Sequence, residues 1–235
     1  MKTISIGDIH GIDAWKQAVD GTQFNIDNFD KVIFVGDYVD SFNVSAVIQK
    51  HNLQEIINLK KKYPDKVVLL LGNHDIQYMD YPYRRCPGFQ GVFQIDYTQI
   101  FRENRNLFQA AYQVDNHLWS HAGVHYNYYI DYMENYHALN PNMSIADMIN
   151  QDYAQSNHWV FNIGWLRGGV CDVGGPFWLD RRNLWKNPLD GYHQVVGHSR
   201  ISSGEIMHIS VNQNTSATCI DVLEDSSPKF YVKNI

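Results

Sequence analysis

Hydrophobic and polar positions follow two different periods along the first third of the chain. Thr3-Ile4-Ser5-Ile6, Val32-Ile33-Phe34-Val35 and Val67-Val68-Leu69-Leu70-Leu71 are short runs dominated by β-branched and aliphatic residues. Runs of that length, bounded by turn residues, predict strands buried in a parallel sheet. Between the second and third runs, Val44, Val47, Ile48, Leu53, Ile56, Ile57 and Leu59 recur at helical spacing and predict an amphipathic helix to about Lys61. A shorter helix is expected over 14–19, with Asp13 as its N-cap. The order strand, helix, strand, helix, strand predicts a parallel core with right-handed crossovers.

Beyond Ile76 the pattern loses its regularity. Residues 76–116 read as an irregular, aromatic-rich loop with a helix over 97–108 and then a hairpin whose strands are 111–114 and 117–123. The segment 125–175 is rich in Tyr, Asn and Met, with a helix from Ser144 to about Gln155. It reads as an insertion covering one end of a single domain, 1–235. After Pro188, alternating runs at 193–198, 206–211, 217–223 and 229–233 predict antiparallel strands.

Composition narrows the class. At 235 residues, with 44% hydrophobic and 14% aromatic content, the chain can bury one large core. The net charge of −6 argues against a nucleic-acid surface, because the sole basic run, Lys60-Lys61-Lys62, falls at a helix end where cations suit the dipole. Cys86, Cys171 and Cys219 form no CxxC pair, which disfavours a disulfide framework and points to a reducing compartment. Met1 leads almost directly into the first strand and no apolar stretch approaches bilayer length. A cytoplasmic protein with no membrane partner is expected.

The chemistry lies where the strands stop. The first three runs end in Gly7-Asp8-Ile9-His10, Gly36-Asp37-Tyr38-Val39-Asp40 and Gly72-Asn73-His74-Asp75, and His121 and Gly197-His198 follow two later runs. A buried strand that ends in glycine and then acid delivers charge to the carboxyl edge of its sheet. Asp8, His10, Asp37, Asn73, His121 and His198 mix hard oxygens with imidazoles, a donor set for Mn, Fe or Zn rather than a thiolate site. The set is too large for one catalytic ion that keeps open positions, and suits two ions bridged by a carboxylate. A carboxylate beside a histidine raises the imidazole pKa and fixes its tautomer, as a proton donor near neutral pH requires.

The ordered blocks GDIHG (7–11), GDYVDS (36–41), GNHD (72–75), HAG (121–123) and GHS (197–199) resemble the calcineurin-like metallophosphoesterases, in the branch of phosphoprotein phosphatases and diadenosine tetraphosphatases. The resemblance implies an α/β protein, an α/β/β/α sandwich with mixed sheets. It implies two divalent metal ions, manganese foremost, with iron, zinc or magnesium as alternatives. Asp8 and His10 would hold the first ion, Asp37 would bridge, and Asn73, His121 and His198 would complete the second. His74 would be the general acid, oriented by Asp40. The implied reaction is direct attack of a metal-bound hydroxide on a phosphomonoester, either a phosphoprotein or a small ester. Alternatives are a dinucleoside polyphosphate hydrolase or a phosphodiesterase. A non-enzymatic metal-binding module is a further alternative, but it requires broken ligands and none is broken.

One departure from the family concerns the phosphate. Its second block usually continues into an arginine that clamps the phosphate bidentately, where this chain has Ser41-Phe42. Arg181, within Gly175-Pro176-Phe177-Trp178-Leu179-Asp180-Arg181, is the first candidate to replace it, followed by Arg200, Arg182 and the pair Arg84-Arg85. Asp221 resembles a late family aspartate that could support a ligand. Tyr126, Tyr128, Tyr129, Trp159, Trp165, Phe177 and Trp178 could stack a nucleobase or pack the insertion. His117, His125, His137, His158, His193 and His208 read as structural or surface residues.

Overall fold

The computed structural model describes residues 1–134, 143–224 and 227–235, so His137 lies outside the described residues. Alternation along β1 (Lys2–Ile6), β2 (Lys31–Phe34) and β3 (Val67–Leu70) decides the architecture. Ile4, Ile6, Val32, Phe34, Val67 and Leu69 join one apolar cluster with Leu53, Ile56 and Ile57 of α2 (Ala46–Lys62). Ile33, Val35, Val68 and Leu70 join a different cluster with Trp119, Val195 and Ile220. Each strand is therefore buried twice, under helices on one face and against a second sheet on the other.

The first sheet has the order β10 (Tyr231–Asn234), β1, β2, β3, β4 (Phe108–Gln109). Its last four strands are parallel, and β10 runs antiparallel to β1. The second has the order β5 (Ala111–Val114), β6 (His117–Ser120), β7 (His193–Val196), β9 (Thr215–Cys219), β8 (Met207–Asn212). Here β6, β7 and β9 are parallel and the two edge strands antiparallel. Trp119 Nε1 donates to Ser5 Oγ at 3.0 Å, one hydrogen bond across the apolar gap between the sheets. Leu184 of α7 (Arg181–Lys186) packs with Val196, Ala217 and Cys219 on the outer face of the second sheet. The layers are α/β/β/α, with mixed sheets.

Several local expectations need correction. Only β8 and β9 among the C-terminal runs pair with each other antiparallel; β7 lies parallel between β6 and β9, and β10 leaves for the first sheet. Alternation reports which face is buried and carries no strand direction. The expected hairpin is present, with β5 and β6 antiparallel, and residues 80–90 are irregular, but helices stand on either side of them. α3 (Asn73–Met79) begins inside the third block, and the Asp75 carboxylate accepts the Gly72 N–H at 2.8 Å to close its first turn. α4 (Gln94–Glu103) stops short of residue 108, which frees Phe108 and Gln109 to pair with β3. Asp13 lies within a first 3-10 turn whose N-cap is Ile12, ahead of α1 (Lys16–Asp20).

Within 125–175, the described residues include α5 (Tyr126–Tyr132) and α6 (Ile145–Ala154). Its aromatics mostly pack: Trp159 stacks on Tyr132 with centroids 3.6 Å apart, and Phe161 stacks on Phe177. Trp165 is exposed. The three cysteines are free, and among the described residues no helix is long and apolar enough to cross a membrane.

Trp119 is fully buried and bridges the sheets. Replacing it with alanine empties the inter-sheet core and leaves Ser5 without its partner, so Trp119→Ala should cost about 3–5 kcal/mol in urea denaturation. A loss below about 1 kcal/mol, the size of a routine substitution, would contradict this account of the sheet interface.

Candidate active site

In-register pairing brings the strand ends together. Ile6 faces Phe34 and Phe34 faces Leu69, so the turns carrying Asp8, Asp37 and Asn73 begin side by side. The parallel neighbours β6 and β7 deliver His121 and His198 from the second sheet. Donor atoms of Asp8, His10 and Asp37 lie within 4.8 Å of one another, as do those of Asp37, His121 and His198. Asp37 is common to both groups. Asn73 Oδ1 is 2.9 Å from His121 Nε2 and 2.9 Å from His198 Nδ1. Asp37 Oδ2 is 3.3 Å from His121 Nε2 and 3.9 Å from His10 Nε2.

The glycines before these residues are steric requirements. A Cβ at Gly72 would collide with the Asp37 carboxylate, and one at Gly197 with that of Asp8. His10 (φ 41°), Asp37 (52°), Asp40 (70°) and His198 (64°) adopt left-handed backbone that side chains ordinarily avoid. Hydrogen bonds hold them there. The Asp75 carboxylate accepts the N–H groups of Asp37 (2.7 Å) and Tyr38 (2.8 Å). The Asp37 carbonyl accepts the His10 N–H at 2.7 Å, and Asp8 accepts the His198 N–H at 2.9 Å.

The donor set fits divalent cations. His10 Nδ1 donates to the Val39 carbonyl and His121 Nδ1 to that of Val35, both at 2.8 Å, which turns each Nε2 toward Asp37. Burial, with Asp221 and Asp37 nearby, raises the Asp8 carboxyl well above the usual carboxylate range. Burial also favours protonation of Asp37, but His121, His74 and His10 outweigh it and hold this carboxyl far below that range. Burial and the neighbouring His121 push His198 well below ordinary histidine, and its buried Nε2 has no hydrogen-bond partner among the described residues. Buried carboxylate oxygens, an amide oxygen and imidazole nitrogens together form the mixed donor set that hard or borderline cations bind.

A proton-handling pair adjoins this cluster. On α3, His74, Gln77 and Tyr78 share one face, and all three bond to Asp40. His74 Nδ1 lies 3.0 Å from Asp40 Oδ2, and Gln77 Nε2 and the Tyr78 hydroxyl donate to the same carboxylate. Burial works against the His74 imidazolium, but the Asp37 charge and the Asp40 hydrogen bond raise its pKa well above ordinary histidine. Gln77 and Tyr78 were not singled out from sequence; their i, i+3, i+4 spacing with His74 was the signal.

Two clefts open on this cluster. One, of about 250 Å³, is lined by Asp8, Asp37, Asn73, His198, Arg167 and Trp178. The other, of about 190 Å³, is lined by Asp40, Ser41, Asn43, Arg200, Asp221 and Glu224. His10, Phe42 and His74 line both. Arg167 is the guanidinium in the first cleft; its Nε is 2.9 Å from Asp180 Oδ2, and its Nη2 donates to Ser199 Oγ. It sits in a glycine-rich loop without periodic pattern, and only the fold brings it to the site.

The structure places the other arginines as follows. Arg181 lines neither cleft: it lies over the Trp185 ring at 4.8 Å, against Met207 Sδ at 3.4 Å. Arg200 reaches the second cleft but is paired with Glu224 at 2.7 Å. Arg182 pairs with Asp180, Arg84 packs on Phe161, and Arg85 on Phe89. Asp221 lines the second cleft, and burial pushes its pKa up to about 6. His117 packs against His193 in the second sheet, His208 bonds Thr218, His125 is buried and His158 lies in a 3-10 turn; none lines a cleft.

A sequence search finds no match among curated proteins. Among solved structures, a cold-active protein tyrosine phosphatase superposes with a TM-score of 0.58 at 14% identity, covering 98% of this chain and 73% of that one. The cold-active protein tyrosine phosphatase of a psychrophilic Shewanella sp. gives 0.55 at 16%, covering 98% and 74%. A metallophosphoesterase from Sphaerobacter thermophilus gives 0.47 at 12%, covering 100% and 84%. At such identities the first two likenesses establish the fold. The family model of the calcineurin-like phosphoesterases matches residues 1–215, which include Asp8, His10, Asp37, Asn73, His74, His121 and His198, and the chain belongs to that family.

Proposed function

We propose that this chain hydrolyses phosphate monoesters with two divalent ions, manganese foremost. Asp8, His10 and Asp37 hold one ion, and Asp37, Asn73, His121 and His198 the other. The observation that carries this reading is Asp37, shared by two convergent donor groups directly beside the His74–Asp40 pair. Bound there, such ions supply an activated water at neutral pH and neutralise charge on the phosphoryl oxygens.

The chain's own residues do the rest. Arg167, held by Asp180 and Ser199, presents its guanidinium to the phosphoryl oxygens in the larger cleft. Asp40 accepts from His74 Nδ1 and so keeps the transferable proton at Nε2, where it can pass to the leaving oxygen. Gln77 and Tyr78 fix the Asp40 carboxylate, and Trp178 packs edge-on against His198 with centroids 6.0 Å apart. No covalent phosphoenzyme is needed; positioning and charge stabilisation carry the barrier reduction.

Asp37→Asn should abolish binding of both ions by calorimetry and lower Mn²⁺-dependent turnover more than about 100-fold, beyond the effect of losing an outer-shell partner. Retention of two-ion stoichiometry would remove Asp37 from the bridging role. Arg167→Ala should lower kcat/KM about 10- to 100-fold, as loss of a charge-assisted hydrogen bond predicts, while Arg181→Ala should not. The reverse ranking would restore Arg181 as the clamp.

The acid assignment has its own signature. His74→Asn should slow alkyl phosphates about 10²- to 10⁴-fold and aryl phosphates far less. Alkyl turnover should fall as pH rises through the raised His74 pKa. Asp40→Asn removes one of the interactions raising that pKa, so this limb should move to lower pH. Equal losses on both ester classes, or an unmoved limb, would exclude the pair.

A further inference from the structure

The second cleft is lined by His10 alone of the proposed cation donors and lies away from Arg167. We propose that it is the leaving-group subsite, and that Phe42 makes it selective for aryl phosphate monoesters. This rests on the monoesterase reading above. A general acid must reach the leaving oxygen, which is bonded to phosphorus on one side and to the organic group on the other, and His74 lines both clefts. With Arg167 and most of the cation donors on one side of His74, the organic group of the ester falls on the other.

Phe42 stands at the seam. It is 84% exposed although its ring lines both clefts. Single exposed apolar side chains are ordinary, but this one is carried on a pinned loop. Ser41 Oγ accepts the N–H groups of Asn43 and Val44, both at 3.1 Å. Gln49 Oε1, on a buried residue of α2, accepts those of Asp40 (2.7 Å) and Ser41 (3.2 Å). The ring is thus presented by a backbone that is already ordered, so little additional entropy is lost when a flat group packs against it. Offset or edge contacts with an aromatic partner add to the area it buries.

The cleft's size and charge fit the same ligand. At about 190 Å³ it lies below the roughly 300 Å³ at which pockets for larger small molecules begin, which suits one ring rather than a nucleoside. Arg200 and Glu224 pair on its wall at 2.7 Å, and the other carboxyl groups there, Asp40 and Asp221, disfavour an anionic leaving group. Phosphotyrosine, alone or in a peptide, has this chemistry. In the reaction, the water oxygen forms a bond to phosphorus and the bond from phosphorus to the phenolic oxygen breaks. The electron pair stays on the phenolic oxygen, which takes the His74 proton, giving phenol and inorganic phosphate.

The test compares O-phosphotyrosine, O-phosphoserine and adenosine 5′-phosphate on wild type, Phe42→Ala and Phe42→Tyr with Mn²⁺. In Phe42→Ala the phosphotyrosine-to-phosphoserine ratio of kcat/KM should fall about tenfold, and Phe42→Tyr should keep it. A ratio that does not move, or a fall confined to adenosine 5′-phosphate, overturns the proposal. A separate readout is calorimetric binding of phenylphosphonate and methylphosphonate to the Mn²⁺-loaded protein. Wild type should prefer the phenyl compound and Phe42→Ala should lose that preference. If wild type hydrolyses none of the esters, the monoesterase reading falls and the binding comparison decides the subsite alone: equal affinities overturn it.

Discussion

Asp8, Asp37, Asp75 and Asp221 are all buried, and they lie within one another's field at the strand ends. Unpaired, such charges cost several kcal/mol each. Each is answered differently. Asp75 accepts three backbone N–H groups, from Gly72, Asp37 and Tyr38. Asp37 is surrounded by His10, His74 and His121, and Asp8 is met by the His198 N–H. Burial still raises the Asp8 and Asp221 carboxyls above the usual carboxylate range, so the ionised form of this cluster is held at a cost that a bound cation relieves. Folding and cation binding are coupled at such a site, since each stabilises what the other needs.

That constraint explains why the site spans two sheets. Carboxylates alone could be presented by β1 and β2, but the imidazoles that complete the second donor group come from β6 and β7. Their approach is set by the inter-sheet core of Ile33, Val35, Val68, Leu70, Trp119, Val195 and Ile220. Left-handed backbone at His10, Asp37, Asp40 and His198 is sustained by a hydrogen bond from each of their N–H groups. The residues that hold the sheets together therefore act on the chemistry without touching it.

The strand ends were legible in the sequence because a doubly buried strand has no polar face and must stop abruptly, at glycine, before it can expose a charge. The metal-type residues follow from that rule, and the pairing of His74 with Asp40 from the family resemblance. Pairing direction did not follow, because β7 and β9 alternate in the same way whether their neighbours run with them or against them. α3 was hidden because its polar first turn, Asn73-His74-Asp75, serves the site rather than the helix pattern. Arg181 was attractive by its neighbours in sequence, yet Asp180 caps a helix there and sends the next side chain toward Trp185, one turn along. Arg167 had no local signal; its place depends on Asp180 and Ser199, residues 13 and 32 positions away.

Moving the guanidinium changes what the β2 turn can be. Asp180 caps α7 through the Arg182 N–H at 2.9 Å and pairs with Arg167. Burial would raise this carboxyl, yet Arg182 and Arg167 hold it below the usual carboxylate range. The proposed phosphate clamp is thus anchored by a helix terminus on the second sheet and owes nothing to the loop after β2. That loop, relieved of a charged role, keeps the Gln49 and Ser41 hydrogen bonds that fix its shape and carries an aromatic ring instead. An arginine at this rim would stand in the field of Asp40 and beside Arg200, drawing charged groups to the cleft. A phenyl ring does the opposite: it leaves the electrostatics to the larger cleft and selects by shape and apolar contact, so phosphate recognition and leaving-group recognition are carried by separate elements of the fold.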